Sequence, residues 1–262
     1  MKLASWNVNS LKVRLPHLLD WLAKQSPHAV GIQETKLEDA TFPFEPIQTA
    51  GFRCVWSGQK TYNGVAILSR SPLKDVATGI PGFPDVQKRI IAATAGDAAD
   101  ALRIVCAYVP NGEAVGSEKF EYKLRWFAAF RDWIEEELKR YPRLVVLGDY
   151  NIAPADVDVY DPVALKGQVL CSPLERQAFR NLLALGLRDS FRMFTQPEKS
   201  FTWWDYRMNA FKRNLGLRID HILLAPELVP LCRSSSIDVS PRRLERPSDH
   251  APVVVELGPS PL

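Results

Sequence analysis

The chain has 262 residues, 46% of them hydrophobic, with 33 Lys plus Arg against 30 Asp plus Glu for a formal net charge of +3. This is the composition of a globular protein able to bury a sizeable core. Polar Asn7 interrupts any signal-peptide core in "MKLASWNVNS" and no apolar run approaches membrane-spanning length, so secretion and membrane insertion are not expected. The charge excess is too small to imply a nucleic-acid partner by itself. It is unevenly placed, however: between Arg176 and Arg218 there are nine basic residues and three acids, Asp189, Glu198 and Asp205. The local field there is positive. Cys54, Cys106, Cys171 and Cys232 lack any C-x-x-C spacing and read as reduced fillers in a cytoplasmic protein.

In chain order, short apolar runs bounded by turn residues predict strands at "KLASW", "AVGIQ", "GVAILS", "RIIAATA", "LRIVCAYV", "RLVVLG", "LRIDHILLA" and "APVVVEL". Between them, "LPHLLDWLAKQ", "EYKLRWFAAFRDWIEEELKRY" and "SPLERQAFRNLLALG" return apolar residues every three or four positions and predict helices. The third opens with Ser172 as N-cap and Glu175 three residues on, and stops at Gly186. The twenty prolines cluster in connections such as "ATFPFEP" and "IPGFPD", which predicts long, stiff loops. With no repeat and no linker, the expectation is one α/β domain over residues 1–262, two packed sheets covered by helices.

Where the strands end, polar groups gather. Asn7 and Asn9 follow the first, Glu34 the second, Tyr108 and Asn111 the "VCAYVPNG" strand, and Asp149 and Asn151 the "VVLGDYN" strand; Asp220 sits in "LRIDH", and Asp249 and His250 open "PSDHAPVVVEL". Turn chemistry explains any one of these, but Glu34 and Tyr108 are poor turn residues and a Glu on a buried run needs a partner. If the ends converge, several carboxylates share a small volume and require a compensating cation. Oxygen ligands suit Mg²⁺ or Mn²⁺, whereas Zn²⁺ would ask for Cys and His at closer spacing. Mg²⁺ shares its shell readily with phosphate oxygens, so the substrate expected is a phosphate ester. Asp220 paired with His250 would leave a cationic imidazole aimed at a phosphoryl oxygen and free Asp149 to act on water. No G-x-S-x-G elbow, P-loop or G-x-G-x-x-G turn is present.

The segments "SWNVNSLKVR", "GIQETK", "NGVAILSR", "AYVPNG", "LGDYNIAP", "DVDVYD", "SPLERQAF", "GLRDSFR", "FTWWDYR", "NLGLRIDHIL" and "RPSDHAPV" stand in the order found in the exonuclease III family of abasic-site DNA endonucleases, and the chain resembles that family from Met1 to about Leu257. The resemblance implies a four-layer αββα sandwich of two mixed sheets flanked by helices. It implies Mg²⁺-dependent cleavage 5′ to abasic sites in double-stranded DNA, with 3′→5′ exonuclease, 3′-phosphatase and 3′-phosphodiesterase activity at blocked or recessed 3′ ends. Beside the resemblance, the expectation is a cytoplasmic monomer with no obligate protein partner evident.

By position, the resemblance makes Glu34 the principal metal ligand with Asn7 and Asp249 beside it. Asp149 would activate water and Asn151 would hold that water or the phosphate. His250, oriented by Asp220, would stabilise the transition state, and Tyr108 would meet the phosphate or the leaving group; Asp149, Asn151 and His250 are also alternative ligands of a second metal. Asn9, Arg89 and Asn111 are substrate candidates. Trp203, Leu217 and Ile219 would receive an extruded baseless sugar, with Asn214 and Arg207 on phosphates. Leu217 stands where some relatives carry Trp, which would loosen the pocket. Arg207, Lys212, Arg213 and Arg218 interleave with aromatics as expected of a DNA-gripping surface. Lys119 and Lys123 are expected on an exposed helix face, Asp156 and Asp158 as solvated loop acids, His221 on the far strand face and Trp204 in the core. A phosphatase or lipid phosphodiesterase with the same hydrolytic core, and an inactive DNA-binding relative, are the rival readings.

Overall fold

The computed structural model describes residues 1–97 and 101–259. Its strands are β1 Lys2–Asn7, β2 Ala29–Gln33, β3 Arg53–Ser57, β4 Val65–Ser69, β5 Leu73–Thr78, β6 Ile90–Ala95, β7 Leu102–Tyr108, β8 Leu144–Asp149, β9 Arg188–Asp189, β10 Asp220–Leu224, β11 Cys232–Ile237 and β12 Val253–Leu257. Its α-helices are α1 Leu11–Gln25, α2 Phe44–Thr49, α3 Glu118–Arg140 and α4 Pro173–Leu183. The strands form two six-stranded sheets, ordered β11-β12-β1-β2-β4-β3 and β5-β6-β7-β8-β10-β9. Each is mixed, since β1–β2 and β7–β8 are parallel while the remaining pairs are antiparallel.

The apolar runs form strands because both of their faces are covered. Leu3, Ile67 and Val255 of the first sheet pack against Ile104, Val145 and Ile222 of the second. Ala4, Trp6 and Ile32 point the other way, against Leu18, Trp21 and Leu22 of α1 and Ile47 of α2. Val105 and Val146 meet Trp126, Phe130 and Ile134 of α3 and Phe179 of α4. The order of layers is therefore helix, sheet, sheet, helix, as the resemblance implies. Gly31 permits a close approach of the sheets: a Cβ there would lie 2.1 Å from Leu147 Cδ1.

The sequence reading missed β3, β5, β9 and β11, and these are the four sheet edges. β5 exposes most of its side chains and β11 reads Cys-Arg-Ser-Ser-Ser-Ile, so neither shows a continuous apolar run. The helix α2 begins within the proline-rich stretch 40–46 expected to be loop and continues to Thr49.

Candidate active site

The central strands of both sheets end at one rim. Asn7 pairs with Gln33 across β1 and β2, which places Glu34 one residue beyond. In the second sheet Tyr108 pairs with Asp149 and Asp149 with Asp220, so β7, β8 and β10 set those three side by side. His250 just precedes β12 and bridges to Trp203, which also bridges to Leu217.

At this rim Glu34, Asp149 and His250 offer ligand atoms that all lie within 4.8 Å of one another. Asn7 Nδ2 donates to Glu34 Oε1 at 2.8 Å and to Asp149 Oδ2 at 2.9 Å, while its Oδ1 accepts from the Asn9 N–H at 2.9 Å. Asn7 thus faces the carboxylates with its NH₂ rather than with the oxygen a ligand would use. Asp249 is likewise engaged, Oδ1 by Asn9 Nδ2 at 2.8 Å and Oδ2 by Trp203 Nε1 at 2.9 Å. The structure brings together Glu34, Asp149 and His250, and sets Asn7 and Asp249 around them as hydrogen-bond partners of the cluster and its rim.

His250 Nδ1 lies 2.8 Å from Asp220 Oδ2 and its Nε2 lies 3.7 Å from Asp149 Oδ2. Burial opposes charge on the ring, but Asp220 and Asp149 outweigh it and raise the His250 pKa to about 10. Burial and the Asp220 charge push the Asp149 carboxyl up to about 7, against the opposing pull of His250. The proton belongs on His250, which Asp220 flanks directly. A divalent cation beside Asp149 would return that carboxyl toward its ordinary range. The hard oxygens of Glu34 and Asp149 fit such a cation, with the protonated His250 ring beside them as a donor. Burial, with Glu34 and Asp149 nearby, holds the Tyr108 phenol well above its ordinary pKa, so it stays a donor.

Asn151 lies against Asp149, its backbone N–H donating to Asp149 Oδ1 at 2.9 Å. Asn111 Nδ2 in turn donates to Asn151 Oδ1 at 3.2 Å. Arg89 stacks over the Tyr108 ring, 4.9 Å from its centroid, and donates to Gln87 and to the Tyr108 carbonyl. Arg207 is exposed on a 3₁₀ turn. Asn214 is exposed, but its amide is engaged by Trp204 Nε1 at 3.0 Å and the Lys199 carbonyl at 3.1 Å.

Several expectations are corrected. Leu217 is 5% exposed and Ile219 1%, packed with Val159, Leu170 and Cys171, and the partly buried Tyr160 and Trp203 pack against this cluster. Arg218 is buried, not on a DNA-facing surface, and is paired with Asp158 at 2.6 Å and Asp189 at 2.8 Å. Asp158 is therefore no solvated loop acid; it is buried between Arg218 and Arg192. Lys123 is buried beside Glu175, 2.5 Å away, whereas Lys119 is exposed. His221 occupies the far face as expected, against Tyr150 and Phe179, and Trp204 is core.

Two contributors escaped the sequence reading. Lys36 Nζ reaches Glu34 Oε2 at 2.9 Å and Asn9 Oδ1 at 2.5 Å, bringing a positive charge to the carboxylates. Its position in "GIQETK" was the available signal. Ser248 Oγ donates to the Asn7 carbonyl at 2.7 Å and accepts from the His250 N–H at 3.2 Å, tying the two loops together.

Residues 4–250 match the model of the endonuclease/exonuclease/phosphatase family. The chain is 36% identical to exodeoxyribonuclease III of Haemophilus influenzae over 98% of its own length and 99% of that protein's. Among solved structures it superposes on a Neisseria 3′ phosphatase, NExo, bound to product DNA hairpin, with a TM-score of 0.95, 50% identity and coverage of 98% and 99% of the two chains. It also superposes on an AP endonuclease from Archaeoglobus fulgidus with a TM-score of 0.92, 36% identity and coverage of 98% and 99%. Whole-length likeness in sequence and fold, with the carboxylate and imidazole cluster at one rim, establishes that this chain belongs to the endonuclease/exonuclease/phosphatase family.

Proposed function

We propose that this chain is a Mg²⁺-dependent DNA-repair nuclease that hydrolyses phosphodiesters in duplex DNA, cleaving 5′ to abasic sites and cleaning or shortening 3′ ends. The observation that carries the reading is the convergence of Glu34, Asp149 and an imidazolium at His250 on one rim. The likeness to an exodeoxyribonuclease III, a 3′ phosphatase and an AP endonuclease supports it.

Glu34 and Asp149 would hold Mg²⁺, which supplies positive charge to the phosphate oxygens and lowers the pKa of water. Asp149 orients the attacking water and takes its proton as the oxygen–phosphorus bond forms. Asn151 and Asn7 fix that carboxylate through one hydrogen bond to each oxygen. His250 donates from Nε2 to a non-bridging oxygen as charge develops there, and Asp220 holds the ring in place. Tyr108 donates its phenolic proton toward the phosphate or the departing 3′ oxygen when the phosphorus–oxygen bond breaks. Arg207, Lys212 and Arg213 hold the strand from the exposed basic segment. The packed cluster around Leu217 favours reactions at a 3′ terminus, which need no extruded sugar, over incision at internal abasic sites.

A duplex containing a tetrahydrofuran abasic analogue and an undamaged recessed-3′ duplex, each with Mg²⁺ or EDTA, test the proposal. Both should be cleaved with Mg²⁺ only, the recessed end faster, and Asp149→Asn should abolish both reactions. No incision and no shortening by the native protein would remove the nuclease reading; cleavage surviving EDTA would remove the metal.

A further inference from the structure

We infer that Lys123 and Glu175, which touch none of the reacting groups, are positioning residues that fix the backbone at Asn151 and through it the Asp149 carboxylate. The pair lies between α3 and α4 beneath the rim, with Lys123 1% exposed and Glu175 fully buried. The ammonium has three protons and uses each: Nζ donates to Glu175 Oε1 at 2.5 Å, to the Asn151 carbonyl at 2.7 Å and to the Asn111 carbonyl at 3.0 Å. Glu175 accepts three further bonds, from the Leu170 N–H at 3.0 Å, the Ser172 N–H at 3.0 Å and Ser172 Oγ at 2.6 Å.

Asn151 stands in the left-handed region, at φ 48°. That conformation turns its N–H back onto Asp149 Oδ1 while its carbonyl points down to Lys123. One residue therefore separates the ammonium from the carboxylate that acts on water, and because the Asn151 N–H and carbonyl flank the same Cα, holding the carbonyl helps fix the left-handed φ that aims the N–H. The same ammonium binds the loop carrying Asn111, whose side chain meets Asn151. Space is kept for it: Gly112 is at φ +94°, and a Cβ there would lie 3.0 Å from Lys123 Cδ.

A buried ion pair contributes little net stability compared with apolar residues of similar volume, so stability alone is a poor account of this one. A second pair allows the comparison. Arg103 Nε and Glu137 Oε2 are 2.6 Å apart, also buried, and also anchor α3. Glu137 follows Lys123 by fourteen residues, about 21 Å along the helix and away from the rim.

The experiment compares the native chain, Lys123→Met with Glu175→Gln, and Arg103→Met with Glu137→Gln, all below their melting temperatures. Two quantities are read: hydrogen exchange at the Asn151 amide, and kcat and KM on the recessed-3′ duplex. The kinetic arm rests on the proposed nuclease activity and the exchange arm does not, so an inactive native protein would refute that activity while exchange still decides the inference. In the Lys123 variant, Asn151 exchange should rise at least about tenfold and kcat fall about ten- to a hundredfold with KM within about twofold. The Arg103 variant should leave both near native. Native-like Asn151 exchange, a native-like kcat in an otherwise active protein, or equal changes in the Arg103 variant would overturn the inference. If the Lys123 double variant does not fold, Lys123→Met alone, which removes the donor to the Asn151 carbonyl and leaves Glu175 its three other hydrogen bonds, takes the same readouts, native-like exchange again overturning the inference.

Discussion

At the scale of single residues, each side chain at the rim is defined by its neighbour. His250 carries its proton because Asp220 and Asp149 outweigh the cost of burial. His250→Asn should therefore lower kcat by about 10²–10³-fold, the usual cost of removing a donor to developing charge, with little change in KM, as steady-state kinetics can measure. Asp158 is the structural counterpart. Burial pushes its carboxyl up, but Arg218 and Arg192 more than reverse this, and the net pKa is lowered. A depressed folded-state pKa contributes stability above the unfolded value of about 3.9, lost as pH falls through the lower folded value. Asp158→Asn should cost about 3–5 kcal/mol at neutral pH, measured by urea unfolding, and the deficit should shrink below about pH 4. The sequence pointed to Glu34, Asp149, Asp220 and His250 as a set, because turn chemistry explains any one acid at a strand end but not a Glu on a buried run or polar groups at so many strand ends. It misread Asp158, Arg218 and Lys123, which are ordinary residues for loops and helix faces until their partners at 189, 192 and 175 come into contact.

At the scale of elements, local signals served best where the chain's own neighbours satisfy it. Ser172 and Glu175 form the expected capping box at the start of α4. Ser172→Ala should lower stability by about 1–2 kcal/mol, seen as a fall in melting temperature, because it removes the cap and one bond to a buried carboxylate. The central strands were legible from their apolar runs for a physical reason: helices and the opposite sheet cover both faces. The edges β3, β5, β9 and β11 were not, because a strand with a free edge carries polar residues that do not distinguish it from loop.

At the scale of the whole molecule, the exposed part of the basic segment 199–213 should govern salt dependence. Lys212→Ala and Arg213→Ala should each reduce the slope of log affinity against log salt by about one unit, as fluorescence anisotropy on duplex DNA can measure, if each meets one phosphate. Arg218, paired internally, belongs to the fold rather than to this surface. By itself the sequence determined the class of fold, the central strands and the types of group at their ends, because periodicity and polarity are written locally. The tertiary structure decided which of those groups meet. It turned the Asn7 amide toward two carboxylates, engaged Asp249 with Asn9 and Trp203, and set Lys123 beneath Asn151. Those contacts join residues distant along the chain, and their distances and charges follow only from the register of two sheets packed face to face.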